Sequence, residues 1–525
     1  MSKPATFYRL LHANFVLARE GVFAALPGEA LEGFPKFLWN AARLIAKRRS
    51  KDMARTDRIA RAIARLGPSY AKLGQFLATR ADVIGPDMAR DLAGLLDKME
   101  SFPTPLAKAA IAESLGGPVE QFFVEFHEPV AAASIAQVHP AYVEDGKGRR
   151  KVAVKVVRPG VRVEFKKNNA VFMMAAEIQD YLFASSERLK PIEVAKTLEA
   201  TTRLEMDLRI EAAALSEMAD YTKNDPNFRL PKVDWDRTGR DVLTMEWIDG
   251  IPLSDMDAVK ASGIDLQKLG TTVMQSFLRH ALRDGFFHAD MHPGNLFVER
   301  DGTLVMLDLG IMGRIGKEER RFLAEILFGF LRRDYRRVAE VHFEAGYVPA
   351  DQDVASFAQA LRAVGEPIYG QPAENVSMAR LLTLLFEITD LYKMGTRTEL
   401  LLLQKTMVVA EGVARNLGPH FNMWEAAKPV IEDWIRDNLG PKAIAKDARD
   451  GLKAGVSLLR RAPEFAERFE KLGKEADKLM ADGFRFDAAT AEAIGKAEAK
   501  AARSGRVALW VIAATLVVIA IHLIK

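Results

Sequence analysis

Cysteine is absent from the 525 residues. Disulfides, thiolate metal ligands and a cysteine nucleophile are thereby excluded, and the composition fits a reducing compartment. An excess of one charge sign is also lacking, because 74 lysines and arginines stand against 70 acidic residues and leave a formal net charge of +4. No global basic field points to nucleic acid, and any basic surface must be local. The N-terminal stretch MSKPATFYRLLHANFVLAREGVF has neither a clean apolar core nor a small-residue cleavage site, so it does not read as a secretory signal. Internal repeats and long low-complexity tracts are missing as well. What is present is an ordinary globular balance, 49% hydrophobic and 27% charged, in a chain long enough for roughly two to four domains.

One long apolar run does occur. Residues 507–524, VALWVIAATLVVIAIHLI, form an 18-residue stretch whose one ionisable side chain is His522. As a helix it spans roughly 27 Å, against a hydrocarbon core of about 30 Å. A buried core helix competes with this reading, but apolarity on all faces favours a membrane anchor. Lys496, Lys500, Arg503 and Arg506 precede the run and only Lys525 follows it. That asymmetry predicts a single-pass span with the bulk of the protein on the cytoplasmic side.

Residues 1 to about 110 carry helical patterns with basic stretches such as AKRRSKDMARTDRIARAIARLG, a face suited to anionic lipid or simply to water. Within GPSYAKLGQFLATR, residues 67–80, Lys72 and Gln75 share a helical face if the helix continues through Gly74. Glycine inside a helix costs about 1 kcal/mol relative to alanine, so Gly74 predicts close approach by another backbone or a ligand. After residue 120, FFVEFHEPVAAASIAQVHPAYVEDGKGRRKVAVKVVRPG reads as a hairpin turned at DGKG, residues 145–148. Helical patterns follow from about 162 to 222, then VLTMEWIDG, 242–250, as a buried strand entering a linker. Leu266 to Asp284 is helical with Gly285 as its C-cap. NLFVERDGTLVMLDLG forms a second hairpin at Asp301 and Gly302, and the remainder to about 504, including an amphipathic stretch from Ala443 to Met480, is mostly helical.

Chemistry concentrates in FFHADMHPGNLFVERDGTLVMLDLG, residues 286–310. Taken alone, His288, Asp290 and His292 alternate as metal ligands do in hydrolases. Asn295 follows Asp290 by five residues and Asp308 by eighteen, beyond a hairpin that returns to the same pocket. That spacing suits phosphoryl transfer, which needs one carboxylate at the acceptor and an amide plus a second carboxylate on magnesium. Upstream, Lys155 ends VAVK on a predicted strand, placed to reach phosphate oxygens. The turn AAASIAQVH before it occupies the position of a phosphate loop, with stiffer alanines in place of glycines. In TLEATTRLEMDLRIEAAAL, Asp207 and Glu211 are expected to share a helix face, with Glu211 orienting Lys155.

KLGQ at 72–75, AAASIAQVH, VAVK, LEMDLRIEA at 204–212, HADMHPGN and LDLG together resemble the UbiB family of atypical kinases, within the protein-kinase-like superfamily, over about residues 65–350. The resemblance implies an α+β, bilobal protein-kinase-like fold with a helical N-terminal extension, a helical C-terminal region and a C-terminal transmembrane helix. Its expected parts are an extension at 1–110, N-lobe at 111–250, C-lobe at 251–420, helical region at 421–504 and anchor at 505–525. It implies Lys155 paired with Glu211, Asp290 as the catalytic carboxylate, and Asn295 and Asp308 on Mg2+. ATP is expected against Val130, Ala131, Ala132, Ala133, Ser134, Ile135, Ala136, Gln137 and Val138, with Met245, Glu246 and Ile248 of MEWIDG as the adenine hinge. Lys72 and Gln75 match the family's KxGQ signature, and Glu205 and Asp207 its ExD signature; the two meet where an ordinary kinase admits peptide. The implied function is a magnesium-dependent kinase or ATPase supporting ubiquinone biosynthesis at a bacterial inner membrane, with membrane lipid and isoprenoid quinone precursors or their enzymes as partners. A nucleotide-gated scaffold without catalysis and a small-molecule phosphotransferase stand as alternatives. No APE-like sequence or long activation segment follows LDLG, so a polypeptide substrate has no evident platform.

Overall fold

Helices assemble the start of the chain. The structure, a computed structural model, describes residues 3–23, 53–78, 99–146, 148–182, 190–366, 398–418 and 420–440, with isolated positions between them. Helices α1 (Lys3–Arg19), α2 (Arg55–Leu66) and α3 (Pro68–Ala78) come first. Pro68 opens α3, where its missing N–H costs nothing. The helix then runs unbroken through a buried Gly74, so Lys72 and Gln75 do lie within one turn of each other. Helix α4 (Thr104–Leu115) follows and ends at Gly116 in the left-handed region.

Period-two alternation explains the first sheet. Strands β1 (Glu125–Phe126) and β2 (Ala131–Ala132) both pair with β3 (Ala136–Asp145), which turns into β4 (Gly148–Val157). The hairpin is in register from Asp145 opposite Gly148 to Ala136 opposite Val157. After the short β5 (Phe228–Arg229), strand β6 (Val242–Glu246) pairs antiparallel with β4 and places Leu243 opposite Lys155. Val152, Val154 and Val156 pack with Ala107 and Ile111 of α4, whereas Ala153 and Val157 join the core on the opposite face. Strand parity therefore puts Lys155 on the same side as Ala153 and Val157, away from α4.

Between the sheets lie α5 (Val161–Leu182), α6 (Pro191–Glu205) and α7 (Leu208–Thr222). The helical patterns expected from 162 to 222 are three helices, and α6 gives way to α7 at Met206 and Asp207. Asp207 is extended and its carboxylate accepts the Arg209 N–H at 3.2 Å, so it is the N-cap of α7. It precedes the first turn and does not share a face with Glu211.

The second half joins β7 (Ile251–Pro252), α8 (Leu266–Arg279), β8 (Phe286–His288), β9 (Leu296–Val298), β10 (Leu304–Met306) and β11 (Met312–Arg314). A wide helical turn, His280–Asp284, follows α8 and ends at Gly285, at φ 69°. Asp301 and Gly302 turn β9 into β10, and the sheet order is β5-β10-β9-β7; β8 pairs separately with β11. Helices α9 (Lys317–Arg332), α10 (Tyr335–Glu344), α11 (Val354–Gly365), α12 (Thr398–Leu417) and α13 (Met423–Leu439) complete the described chain. Apolar faces of α8 and α12, including Val273, Phe277, Leu403, Ala410 and Leu417, share one core.

The expected fold class needs one correction. Among the described residues no helix is long and apolar enough to cross a membrane, and what they form is a mixed helix and sheet fold. The physical reason is composition. Helices α5 and α12 reach 22 and 20 residues, but Lys166, Lys167, Glu177 and Asp180 interrupt the first, and Glu399, Lys405, Glu411 and Arg415 the second. The run at 507–524 and the amphipathic stretch from Ala443 to Met480 lie outside the described residues.

Candidate active site

Three elements converge on Lys155. Its Nζ lies 2.8 Å and 2.9 Å from the two carboxylate oxygens of Glu211 on α7, and 2.9 Å from Asp308 Oδ1 after β10. One ammonium thus faces two carboxylates. Burial opposes the lysine's charge, but Asp308 and Glu211 outweigh it and hold Lys155 above the ordinary lysine range. The acidic partners divide unequally. Burial pushes Glu211 up, against the pull of Lys155 and helped by the negative charge of Asp308. Asp308, whose side chain is half-exposed, is drawn down despite desolvation, chiefly by Lys155. At neutral pH the site therefore presents a fixed cation and one firmly ionised carboxylate.

Asp308 also sits at φ 54°, a conformation that costs a non-glycine residue about 1–3 kcal/mol and persists where surrounding contacts enforce it. Buried His288 supplies the main one. Its Nε2 donates to the Asp308 carbonyl and its Nδ1 accepts the Asp290 N–H, both at 2.8 Å. Burial lowers its pKa, in keeping with the neutral tautomer these two bonds require. The histidine ties the loop bearing Asp290 to the one bearing Asp308. Asn295 closes the same loop, its Nδ2 donating to the Asp290 carbonyl at 3.2 Å. At Gly310, a Cβ would press on Asp308 Oδ1 at 3.2 Å.

Among the described residues no group of three or more His, Cys, Asp or Glu side chains is disposed to hold a metal, which sets aside the His288, Asp290 and His292 reading. The donors that remain suit magnesium. Asn295 and Asp308 offer hard oxygens, and a magnesium ion bound through one or two such groups completes its shell with phosphate oxygens and water.

The N-terminal helices reach the same place. Lys72 Nζ lies 2.5 Å from Glu205 Oε2, with both side chains nearly buried. Burial raises Glu205 against the pull of Lys72, and Lys72 adds to the field that depresses Asp308. Gln75 is half-buried on α3. Asp207 instead faces Arg209, at 2.7 Å and 2.9 Å. Ala133 N–H bonds the Ala136 carbonyl at 2.8 Å to close the alanine turn. No residue from Val130 to Val138 has positive φ, so this turn does not need glycine. Gln137 is buried and holds both backbone groups of Phe102, accepting at 2.9 Å and donating at 3.1 Å. Met99 N–H reaches the Ala132 carbonyl at 3.2 Å, so residues 99–102 brace the turn from outside. Met245 and Ile248 are buried, and the Glu246 carboxylate is engaged by Arg229.

The ABC1 atypical kinase-like domain matches residues 94–342, and the UbiB helical domain matches 361–422. A protein named "Probable protein kinase UbiB" from Marinobacter nauticus is 38% identical over 420 residues, 79% of this chain and 76% of its own length. The proteins of that name from Aeromonas salmonicida and Vibrio parahaemolyticus are each 36% identical, over 89% and 91% of this chain and 84% and 88% of theirs. The chain belongs to the UbiB family. The Rv3197–erythromycin complex from Mycobacterium tuberculosis aligns at TM-score 0.50 and 22% identity, covering 70% of this chain and 92% of that one, a likeness of fold. The UbiB resemblance read from KLGQ through LDLG is thus shown.

Two parts of this UbiB-family site escaped the sequence reading. Gln137 is expected against ATP with the rest of the alanine turn, but the link its buried amide makes from that turn to Phe102 had no signal in the sequence. Lys405 on α12 lies 3.6 Å from Asp290 Oδ1. A lone lysine inside LLLLQKTMVVA was the available signal.

Proposed function

We propose that this UbiB-family protein binds ATP with magnesium and moves its terminal phosphoryl group to an acceptor hydroxyl or to water, in support of ubiquinone or another isoprenoid-lipid synthesis. The observation that carries the reading is the contact of Lys155 with both Glu211 and Asp308, beside a loop that fixes Asp290 and Asn295. Lys155 would meet phosphate oxygens, Asn295 and Asp308 would hold the metal, and Asp290 would take the acceptor's proton. Phosphoryl transfer asks for little else beyond positioning and charge. Helix α9 begins at Lys317, soon after β11 ends at Arg314, leaving no long segment to seat a polypeptide. A small or lipid acceptor fits better.

A nucleotide-gated scaffold has one specific observation in its favour, the buried Lys72 and Glu205 pair close to Asp308. Magnesium-dependent ATP turnover separates the two readings. Asp290→Asn should lower kcat by about 100-fold or more while nucleotide still binds. Equal turnover by wild type and variant would remove Asp290 from its role, and no turnover in either would favour the scaffold. For the pathway, cells lacking the protein should accumulate prenylated ubiquinone precursors, and wild type but not Lys155→Ala should restore them. Normal quinone levels in those cells would overturn the assignment.

A further inference from the structure

Lys405 comes from outside the kinase-like domain match, in the helical region 361–422, yet its ammonium faces Asp290. Its helix is not free to drift. Leu403, Ala410, Val413, Ala414 and Leu417 of α12 are buried in the core shared with α8. The two helices touch closely at Gly270, where a Cβ would stand 3.0 Å from the Ala414 carbonyl. Lys405 and Asp290 both keep part of their surface open to solvent, 30% and 39%, so the pair borders accessible space. Lys155 is committed to Glu211 and Asp308. Among the described residues Lys405 is the one cation paired with Asp290.

We propose that Lys405 is a positioning and charge-stabilising residue of the phosphoryl-transfer step, supplied by the helical region to complete the kinase-like domain; this rests on the function proposed above. In that step a bond forms between the acceptor oxygen and the terminal phosphorus. The bond from phosphorus to the bridging oxygen breaks, ADP leaves with the electron pair, and the acceptor's proton passes to Asp290. The negative charge spread over the oxygens of the transferring group lies beside Asp290, where an unaccompanied carboxylate would repel it. The Lys405 ammonium holds that carboxylate in place and faces the phosphoryl oxygens.

A half-exposed ion pair with no such role commonly contributes little, which gives the competing expectation. The test is steady-state magnesium–ATP turnover of wild type, Asp290→Asn, Lys405→Met and Lys405→Arg in the full-length protein, with melting temperatures recorded alongside. Lys405→Met should lower kcat by about 30- to 100-fold with KM for ATP within about threefold. Its melting temperature should stay within about 2 °C, and Lys405→Arg should recover most of the rate. Wild-type kcat in Lys405→Met, or loss of kcat only together with a collapse in melting temperature, would overturn the role of Lys405 alone. Absence of turnover in wild type would overturn the underlying function and this role with it.

Discussion

His288 stands in HADMH, where alternate spacing imitates a metal site. Both its ring nitrogens are spent on backbone, one on Asp290 and one on Asp308. Period-two spacing shows that His288 and Asp290 share an orientation, but it does not reveal that a carbonyl twenty residues later meets the ring. Substitution separates strut from ligand. His288→Ala leaves an N–H and a C=O unpaired at about 1–3 kcal/mol each, so a loss of about 2–5 kcal/mol is expected in urea unfolding. His288→Asn, whose oxygen can still accept the Asp290 N–H, should lose less. Metal content should be unchanged in both. A tightly bound transition metal in wild type that vanishes with His288→Ala would sink the strut.

Strand β4, helix α7 and the segment after β10 each bring one charge to the phosphate end of the site, and the sum of the three is negative. The deeper carboxylate bears the consequence: Glu211, desolvated and beside Asp308, is pushed up to about 7 in spite of Lys155. A carboxylate raised in the folded state binds a proton more readily folded than unfolded. The folded protein therefore gains stability from Glu211 as pH falls from about 7 toward its unfolded value of about 4.3. The same proton uncouples Glu211 from Lys155. Nucleotide affinity measured without magnesium should weaken as pH drops through about 7, and Glu211→Gln should be flatter between pH 6 and 8. An acid limb of equal size in Glu211→Gln would assign the titration elsewhere. The pairing of Lys155 with Glu211 was legible because VAVK and LRIEA each announce their element. The cap at Asp207 was missed because the helical period continues through LEMDL, while the break is made by one side chain bonding Arg209 N–H.

Across the molecule, what the sequence disclosed was local chemistry: hairpins turned at Asp145–Gly148 and Asp301–Gly302, the left-handed stop at Gly285, and motifs in family order. Contacts between distant elements were hidden, since a period says which side a residue faces and not what arrives there. Phe102 on Gln137 and Lys405 on Asp290 are of that kind, and so is the energetic state of Lys72 and Glu205. That pair joins α3 to α6 in a nearly dry setting, with Glu205 Oε1 lacking a hydrogen-bond partner. Burying a charge costs more than its partner usually returns, whereas removing one partner costs about 3–5 kcal/mol because the other is left uncompensated. Lys72→Met should therefore destabilise the protein by about that amount at pH 8. Glu205 is already raised by burial, and losing Lys72 raises it further, so the folded variant takes up a proton as pH falls and the deficit should narrow toward pH 5.5. Adding Glu205→Gln should recover part of the loss at pH 8 and abolish its pH dependence. Urea unfolding of the three proteins at the two pH values checks this. A Lys72→Met deficit that is absent at pH 8, or equal at both pH values, would mean that water reaches Glu205 and that α3 is not sealed against α6.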